Sequence, residues 1–298
     1  MSASPASTAS NRRIIFVDVD GTLVTYTNEL PQSAVTAIRR ARAAGHRVYL
    51  TTGRSRAEMP APLWDIGLDG MIGGNGAYVE DDGHVLLHQH LSREQCGRIV
   101  DWLRTRRLTF YAEANSGLYA PPDFPAASRT ALRAYAAGKG RADAGDLEAS
   151  DIFPDLVLTE ELVREDVNKI SFVLSGPEDV QAARRAFPDL LVGTWGGRGH
   201  EALFGDVALS AANKVEAIDV LLEHLGASPA DAVAFGDAIV DIGMLRHCGV
   251  GVAMGNAAPE VKQAADLVTD DVEQDGLAHA LTRLGLTAVT PAGPREVQ

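Results

Sequence analysis

The chain has 298 residues, of which 46% are hydrophobic, and 27 basic residues against 40 acidic ones give a net charge of −13. This length favours two domains. The excess of acidic residues argues against a nucleic-acid-binding protein, because binding to a phosphate backbone needs a basic surface, and every apolar run is too short to predict a membrane span.

The N-terminal segment and the cysteines bear on the compartment. Residues 1–11 are rich in Ser, Ala and Thr and lack the basic start and apolar centre of a secretory signal, so we expect a disordered tail there. Cys96 and Cys248 do not form a metal or redox spacing. Both features favour a cytoplasmic protein with reduced thiols.

Strand and helix signals alternate at both ends of the chain. Over the first part, the pattern predicts strands at residues 14–17, 46–50 and 70–72, with a helix at 32–44 between the first two. The alternation returns at residue 213 and continues to residue 268. This order predicts an α/β fold with a doubly wound parallel sheet.

The middle third has a different pattern. A predicted hairpin over residues 78–87 is followed by a helix whose apolar positions include Ile99 and Leu103. Strand signals over residues 109–113 and 170–174 are mixed with further helices. The segment is therefore predicted to be a compact α+β domain inserted into the first one.

Two carboxylates follow the first predicted strand, since Asp18 and Asp20 stand one residue apart directly after residues 14–17. Alternate residues of a strand lie on the same face, about 6 to 7 Å apart. Two carboxylates so placed repel each other unless a cation or a shared proton lies between them. The pair is typical of a divalent-metal site in which one acid is a nucleophile and the other handles protons. The alternative is a strand end followed by an ordinary Asp-Gly turn.

Hydroxyl and amide groups follow the next strand. The Thr52 hydroxyl and the backbone N–H of Gly53 can bind a phosphate oxygen, although Thr52 can equally cap the following helix.

Lys214 is one of only four lysines and begins a predicted helix. Its compact ammonium group can neutralise a carboxylate and a phosphate oxygen together, and the alternative is a solvated residue in the first helical turn.

A second apolar strand also ends in acids. Asp237 follows the predicted strand at residues 232–235, and Asp241 comes four residues later. On a tight turn into a helix, both carboxylates can face a metal ion held by Asp18, and Mg²⁺ requires few protein ligands because it keeps several waters. Acids favoured by the helix dipole are the alternative reading of either residue alone.

The order of these segments resembles the haloacid dehalogenase (HAD) superfamily, and within it the Cof-type phosphatases of subclass IIB. The resemblance covers residues 14–284 and includes Asn75-Gly76-Ala77, the string over residues 251–257, and Asp275-Gly276. It implies a Rossmann-like core with an inserted α+β cap of the C2B type. The implied division is a tail at 1–11, a core at 12–83 and 207–298, and a cap at 84–206.

The resemblance also implies a mechanism. Asp18 attacks phosphorus and forms an aspartyl-phosphate, while Asp20 protonates the leaving group and later accepts a proton from water. The residues implied to hold Mg²⁺ are Asp18, Asp20 through its backbone carbonyl, Asp237 and Asp241, and those implied to hold the phosphoryl oxygens are Thr52, Gly53 and Lys214.

One position departs from the family pattern. Cof-type enzymes usually have Gly-Asp-Gly-x-Asn-Asp where this chain has Ala238 in place of the second Gly and Val240 in place of the Asn. The Asn generally supports the metal site through its amide, which Val lacks. We therefore expect weaker binding of Mg²⁺, with the direct metal ligands unchanged.

Substrate contacts are expected from the rim of the core and from the cap. Arg54 and Asn75 are the candidates on the core, and Tyr111 and Arg198 are those on the cap. For Tyr111, a position in the core of the cap is the open alternative.

The sequence thus predicts a cytoplasmic Mg²⁺-dependent phosphatase that hydrolyses small phosphorylated metabolites, sugar phosphates above all, as a monomer or homodimer without nucleic-acid or membrane partners. A sugar phosphomutase or a dedicated sugar-phosphate phosphatase on the same fold is one alternative. A catalytically silent binding module is another.

Overall fold

Two β-sheets form the framework of the residues that the structure, a computed structural model, describes, namely 12–196 and 202–288. The strands are, in chain order, β1 (Ile14–Val17), β2 (Arg47–Thr51), β3 (Gly70–Gly73), β4 (Tyr78–Asp81), β5 (His84–His88), β6 (Phe110–Ala114), β7 (Leu118–Ala120), β8 (Leu156–Leu158), β9 (Val167–Val173), β10 (Leu190–Trp195), β11 (Phe204–Leu209), β12 (Ala232–Gly236), β13 (Val250–Ala253) and β14 (Leu267–Val268).

Helices connect most of these strands, together with short 3-10 turns such as Arg56–Glu58 and Ile239–Asp241. Within the described ranges, none of the helices is both long and apolar enough to cross a bilayer. The α-helices are α1 (Gln32–Ala43), α2 (Ala61–Trp64), α3 (Arg93–Arg106), α4 (Phe124–Gly138), α5 (Ala149–Ile152), α6 (Pro177–Ala186), α7 (Lys214–His224), α8 (Ile242–His247), α9 (Pro259–Ala264) and α10 (Gly276–Arg283).

The first sheet has the strand order β14-β13-β12-β1-β2-β3-β4-β5. Its first six strands are parallel, and β4 and β5 add an antiparallel edge. The chain runs outward from β1 through β2 to β3, and then returns to β12 on the other side of β1. The strand order therefore reverses at β1, and in folds of this class the crevice at such a point binds ligands.

Alternating side chains of β1 explain why helices cover both faces of this sheet. Ile15 and Val17 pack into a cluster with residues of α1 and α10, whereas Ile14 and Phe16 pack into a cluster with residues of α7 and α8. All four side chains are buried. A strand with apolar residues on both faces needs a helical layer on each side, as parallel sheets generally do.

The second sheet has the order β10-β11-β9-β6-β7-β8 and is antiparallel except between β7 and β8. One face packs against α3 and α6, with Phe172 of β9 in the contact. The other face packs partly against α4, where Tyr111 meets Phe124. The predicted fold class, an α/β core with an inserted α+β unit, is confirmed.

The two predicted domain boundaries do not coincide with the division of the strands between the two sheets. β5 begins at residue 84, which the sequence assigned to the cap, but it pairs with β4 in the first sheet. β11 belongs entirely to the second sheet, although the core was predicted to resume at residue 207. Asp82 and Gly83 have the residue types of a turn, and both have a positive φ. A linker between domains has a similar composition, so the sequence alone does not distinguish a hairpin turn from a linker here. Apart from these margins, the division into core and cap stays a proposal.

Candidate active site

Three adjacent strands of the first sheet end where the predicted site residues begin. Asp18 directly follows β1, Thr52 follows β2, and Asp237 follows β12. The backbone N–H of Asp18 donates to the carbonyl of Phe235 at 3.0 Å, which extends the pairing of β1 and β12 by one residue. These side chains therefore lie at the carboxyl edge of the sheet, next to the point of strand reversal.

Lys214, the first residue of α7, links two of the predicted acids. Its Nζ donates to Asp18 Oδ1 at 2.8 Å, to Asp241 Oδ1 at 2.7 Å and to the backbone carbonyl of Thr51 at 2.8 Å. All three donor positions of the ammonium are used, and the side chain is almost fully buried. A buried lysine keeps its charge only with such compensation, so the exposed position allowed by the sequence is not the observed one.

The start of α7 is fixed by a cap and by a glycine. The side chain of Asn213 accepts hydrogen bonds from the N–H groups of Val215 and Glu216, as a helix N-cap does. Gly76 lies so close that a Cβ there would come within 2.2 Å of the Asn213 carbonyl oxygen, and its φ is +108°. Gly76 is thus required for the approach that brings Lys214 to Asp18.

Asp18, Asp237 and Asp241 form a buried acidic cluster. Each offers a carboxylate oxygen, and these oxygens all lie within 4.8 Å of one another. When all three carboxylates are ionised, Lys214 compensates only one of their negative charges. Hard oxygen donors at this spacing fit a divalent cation such as Mg²⁺.

Electrostatics in the cluster favour a bound cation. Burial and the charge of Asp241 raise the pKa of Asp18 well above its usual value, although Lys214 acts in the opposite direction. Burial likewise raises the pKa of Asp237. For Lys214, burial lowers the pKa, but Asp18 and Asp241 outweigh that effect and raise it overall. A cation among these carboxylates would relieve the repulsion that opposes their ionisation.

Asp237 is positioned by residues that the sequence reasoning did not assign to the site. Thr22 donates to its Oδ1 at 2.9 Å, and the Tyr26 hydroxyl donates to its Oδ2 at 2.6 Å. Asn256 lies alongside, with its Nδ2 donating to the carbonyl of Gly21 at 2.8 Å. Asn256 lies within the string over residues 251–257 that carried the family resemblance, so a signal for it was present. Tyr26 had none.

Asp20 lies apart from the acidic cluster and is bound by cations. Arg54 donates from Nε to Oδ2 at 2.9 Å and from Nη2 to Oδ1 at 2.7 Å. Lys139, at the end of α4 in the cap, places Nζ 3.6 Å from the same Oδ1. The carboxylates of Asp18 and Asp20 thus have different partners, and the metal role implied for Asp20 rests on its backbone carbonyl.

The loop after β2 is a compact turn. The backbone N–H of Arg54 donates to Thr52 Oγ1 at 3.1 Å, and the N–H of Asn75 donates to the Thr52 carbonyl at 3.0 Å. Gly53 faces the Asn75 amide so closely that a Cβ there would come within 3.1 Å of Asn75 Oδ1. Thr52, Gly53, Arg54 and Asn75 therefore lie together at the edge that carries Asp18 and Asp20.

The structure describes one of the two substrate-contact candidates predicted in the cap, Tyr111. The ring of Tyr111 is buried against those of Phe124 and Phe153, with centroids 5.6 and 4.9 Å apart. This is the packing role that the sequence left open, and it presents no open face to a substrate. Arg198 lies outside the described residues.

Comparison with known proteins identifies the family. Residues 15–281 match the haloacid dehalogenase-like hydrolases. YkrA, a Bacillus subtilis protein named as a phosphatase, is 30% identical over 274 residues, which cover 92% of this chain and 98% of YkrA. YwtE of the same organism, named as a 5-amino-6-(5-phospho-D-ribitylamino)uracil phosphatase, is 26% identical, with coverage of 91% and 98%.

A solved structure shows the same architecture. The subclass IIB sugar phosphatase BT4131 superposes with a TM-score of 0.72 at 26% sequence identity, and the match covers 92% of this chain and 99% of BT4131. The similarity therefore extends over both sheets and is not confined to the core.

Proposed function

The chain belongs to the haloacid dehalogenase-like hydrolases of the Cof type and is a phosphoric monoester hydrolase, and on that premise we propose that it hydrolyses sugar phosphates and similar small metabolites through an aspartyl-phosphate on Asp18. A silent binding module is thereby set aside. The observation that carries the proposal is the contact of Lys214 with Asp18 inside a buried cluster of three carboxylates. The chemistry of phosphoryl transfer needs such a concentration of fixed charge.

In the first step, an Asp18 carboxylate oxygen forms a bond to phosphorus while the bond from phosphorus to the leaving oxygen breaks. Asp20 supplies the proton that the leaving oxygen takes up. In the second step, Asp20 takes a proton from water, the water oxygen bonds to phosphorus, and the bond between phosphorus and Asp18 breaks. Inorganic phosphate leaves, and both carboxylates return to their starting state.

The phosphoryl group is held by the loop after β2 and by α7. The Thr52 hydroxyl and the Gly53 N–H are donors at the edge of the sheet beside Asp18, and Lys214, whose three hydrogen bonds go to Asp18, Asp241 and the Thr51 carbonyl, adds its positive charge there. Fixed donors so placed stabilise the charge that spreads over the phosphoryl oxygens. Lys214 has a second role, since it keeps Asp18 in place and partly offsets its charge.

Members of this family generally use a divalent metal, and the acidic cluster fits Mg²⁺. Asp18 and Asp237 would hold it with the Asp20 carbonyl, and Asp241 would support it while bonded to Lys214. When bound, Mg²⁺ supplies charge neutralisation and Lewis-acid polarisation of the phosphoryl oxygens.

Two observations support sugar phosphates as the substrate class. BT4131 is named as a sugar phosphatase, and YwtE is named for a substrate with a phosphorylated ribityl chain. Both leaving groups are polyhydroxylated. The expected cytoplasmic location and the monomeric or dimeric state stay predictions.

A phosphate-release assay tests the proposal. The purified chain with Mg²⁺ should release inorganic phosphate from sugar monophosphates, and Asp18→Asn should abolish release while the circular dichroism spectrum still shows a folded protein, because Asn has almost the same shape. A transfer of phosphate to another sugar position without release would indicate a mutase instead. Absence of release from every substrate with Mg²⁺ present would contradict the proposal.

A further inference from the structure

Tyr26 of the core contacts both the acidic cluster and the cap. On one side, its hydroxyl donates to Asp237 Oδ2 at 2.6 Å. On the other side, Lys139 of the cap places Nζ 5.3 Å from the centroid of the Tyr26 ring. A cation at this distance over an aromatic face is attracted by the ring. One side chain therefore joins a proposed metal ligand to a residue of the cap.

A compact turn fixes the backbone that carries Tyr26. The N–H of Thr25 donates to the carbonyl of Glu29 at 2.9 Å, and the N–H of Asn28 donates to the carbonyl of Thr25 at 2.9 Å. The Thr25 hydroxyl accepts from the N–H of Glu29 at 3.0 Å. Asn28 has a φ of 64°, which Asn tolerates in turns. With the backbone held in this way, the position of the Tyr26 ring depends on the contacts of its own side chain.

Gly21 provides the space for the ring beside Asp237. Its φ is +86°, and a Cβ there would collide with Asp237 Oδ2 and come within 2.9 Å of Tyr26 Cε1. Both groups lie against this backbone because residue 21 has no side chain. Asn256 Nδ2 donates to the Tyr26 hydroxyl at 3.3 Å. The hydroxyl thus has a defined place between Asn256 and Asp237.

The cap presents Lys139 to this ring from the end of α4. Its side chain is 19% exposed, and its Nζ also lies 3.6 Å from Asp20 Oδ1. The next residue, Gly140, has a φ of +87°, and a Cβ there would lie 3.8 Å from Thr27 Cγ2. The end of α4 therefore packs on the turn that carries Tyr26. This contact exists only while the cap lies on the core, an arrangement that we call the closed cap.

The two contacts of Tyr26 act on one rigid ring. An ammonium group over the face of the ring favours one orientation of the side chain. In that orientation the hydroxyl reaches Asp237 and fixes its carboxylate. Outer contacts that orient a metal ligand commonly change metal affinity by about 10- to 100-fold. Loss of Lys139 from the ring should therefore be felt at the metal site.

We propose that Tyr26 couples the position of the cap to the affinity of the metal site, as a positioning residue that holds Asp237 best when Lys139 of the closed cap lies over its ring. The inference rests on the metal site of the proposed function and goes beyond it. Coupling between two sites is reciprocal, so bound Mg²⁺ should in turn favour the closed cap.

A double-mutant cycle tests this coupling with the wild type, Tyr26→Phe, Lys139→Met and the double variant. The Kd for Mg²⁺ is obtained from the rise of the melting temperature with Mg²⁺ concentration, so the readout does not depend on activity. Tyr26→Phe keeps the ring, loses the hydroxyl and should raise the Kd by about tenfold. Lys139→Met should raise the Kd by about two- to fivefold in the wild-type background and should have no effect in the Tyr26→Phe background.

A direct effect of the Lys139 charge on the metal has the opposite sign. That charge repels Mg²⁺, so its removal alone should lower the Kd, and should do so whether or not the Tyr26 hydroxyl is present. A lower Kd in Lys139→Met, or an equal change in both backgrounds, would overturn the inference. An unchanged Kd in Tyr26→Phe would overturn it as well.

Tyr119 and Arg164 provide the matched control, since Arg164 Cζ lies 3.7 Å from the centroid of the Tyr119 ring elsewhere in the cap. Tyr119→Phe and Arg164→Met remove a hydroxyl and a cation of the same kinds and should leave the Kd for Mg²⁺ unchanged.

Hydrogen exchange of the backbone amides of residues 135–140 tests the reciprocal effect. Mg²⁺ should slow this exchange in the wild type and not in Tyr26→Phe. Slowing of equal size in both proteins, or none in either, would contradict the coupling. A wild-type melting temperature that does not respond to Mg²⁺ at any concentration would instead contradict the metal site of the proposed function.

Discussion

Arg54 binds Asp20 through two parallel hydrogen bonds, 2.9 Å from Nε and 2.7 Å from Nη2. Burial raises the pKa of Asp20, but Arg54 and Lys139 outweigh it and hold that pKa below its usual value. A carboxyl group with a lowered pKa is ionised near neutral pH, so it has no proton to donate and is a weak proton acceptor. Asp20 can therefore protonate a leaving group only when the hydrogen bonds from Arg54 are weakened as substrate binds.

Arg54→Gln should move the pH dependence of turnover. Without the guanidinium, the pKa of Asp20 rises, so the protonated form persists to higher pH and the alkaline limb of kcat for an alkyl phosphate shifts upward. Turnover itself should fall by about 10- to 100-fold, because Asp20 loses its fixed position. The measurement is kcat against pH for glycerol 3-phosphate and for p-nitrophenyl phosphate, whose leaving group needs little protonation and whose profile should shift less.

Arg56→Gln is the control for Arg54→Gln. Arg56 pairs with Glu80 at 2.8 Å and belongs to the same loop. Its replacement should leave the alkaline limb in place. An alkaline limb that does not move in Arg54→Gln would show that Arg54 does not set the proton affinity of Asp20.

The sequence predicted the elements that carry strong local signals. β1 was predicted to the residue, because it is a short apolar run that begins and ends at charged residues. The cluster of Asp18, Asp237 and Asp241 was also expected, since strand ends of a parallel sheet meet at one edge. These inferences needed only the period of the apolar residues and the topology of an α/β fold.

Contacts between distant loops could not be predicted in this way. The pairing of Asp20 with Lys139 joins residues far apart in the chain and depends on how the cap lies on the core. For Tyr111 the sequence left a substrate contact and a core position open, because a strand with polar and aromatic residues does not reveal which face is covered, and here α4 covers the face of Tyr111. The strands β10 and β11 were missed because apolar and polar positions mix along them.

Lys214→Met should destabilise the metal-free protein strongly. The substitution leaves Asp18 and Asp241 buried without their shared cation, and the removal of one partner from a buried ion pair costs about 3–5 kcal/mol. Mg²⁺ should restore part of this loss, because it neutralises the same carboxylates. The measurement is the free energy of unfolding in urea, with EDTA and with Mg²⁺.

Lys262→Met provides the comparison for Lys214→Met. Lys262 donates to the backbone carbonyl of Gly255 and is partly buried. Its replacement should therefore lower the free energy of unfolding by only about 1 kcal/mol, and this loss should not depend on Mg²⁺. Equal losses for the two variants would contradict the role assigned to Lys214.

The effect of Mg²⁺ on stability should depend on pH. The folded pKa of Asp18 lies above its usual value of 3.8, so the folded state binds this proton more tightly than the unfolded state does. The contribution of Asp18 to the stability of the metal-free protein is therefore fully present below pH 3.8 and is lost as pH rises through the raised pKa. Mg²⁺ binds the ionised carboxylates and should stabilise the protein at about pH 8 by about 2.7 kcal/mol at a concentration 100 times its Kd, and much less at about pH 4.

Asp18→Asn tests the origin of that dependence. The variant lacks the titrating carboxyl, so its metal-free stability should fall less steeply with pH, and its stabilisation by Mg²⁺ should be weaker. Differential scanning calorimetry across the pH range measures both. A slope identical to that of the wild type would assign the pH dependence to other groups.

Val240→Asn should strengthen Mg²⁺ binding. Val240 lies on the turn that carries Asp241, whose Oδ2 accepts from the N–H groups of Asp237 at 3.2 Å and Ala238 at 3.0 Å. An amide at this position can add a hydrogen bond that supports these acids, and loss of such outer contacts commonly costs about 10- to 100-fold in metal affinity. The Mg²⁺ concentration for half-maximal activity should therefore fall by about tenfold in Val240→Asn.

The neighbouring Ile239→Asn is the matched control for Val240→Asn. Ile239 is 65% exposed and Val240 is 53% exposed, so both positions accept an amide without disturbing the core. Ile239→Asn should leave the Mg²⁺ dependence of activity unchanged. If Val240→Asn leaves it unchanged as well, the amide points to solvent as Val240 largely does, and the Val in this chain has no bearing on metal affinity.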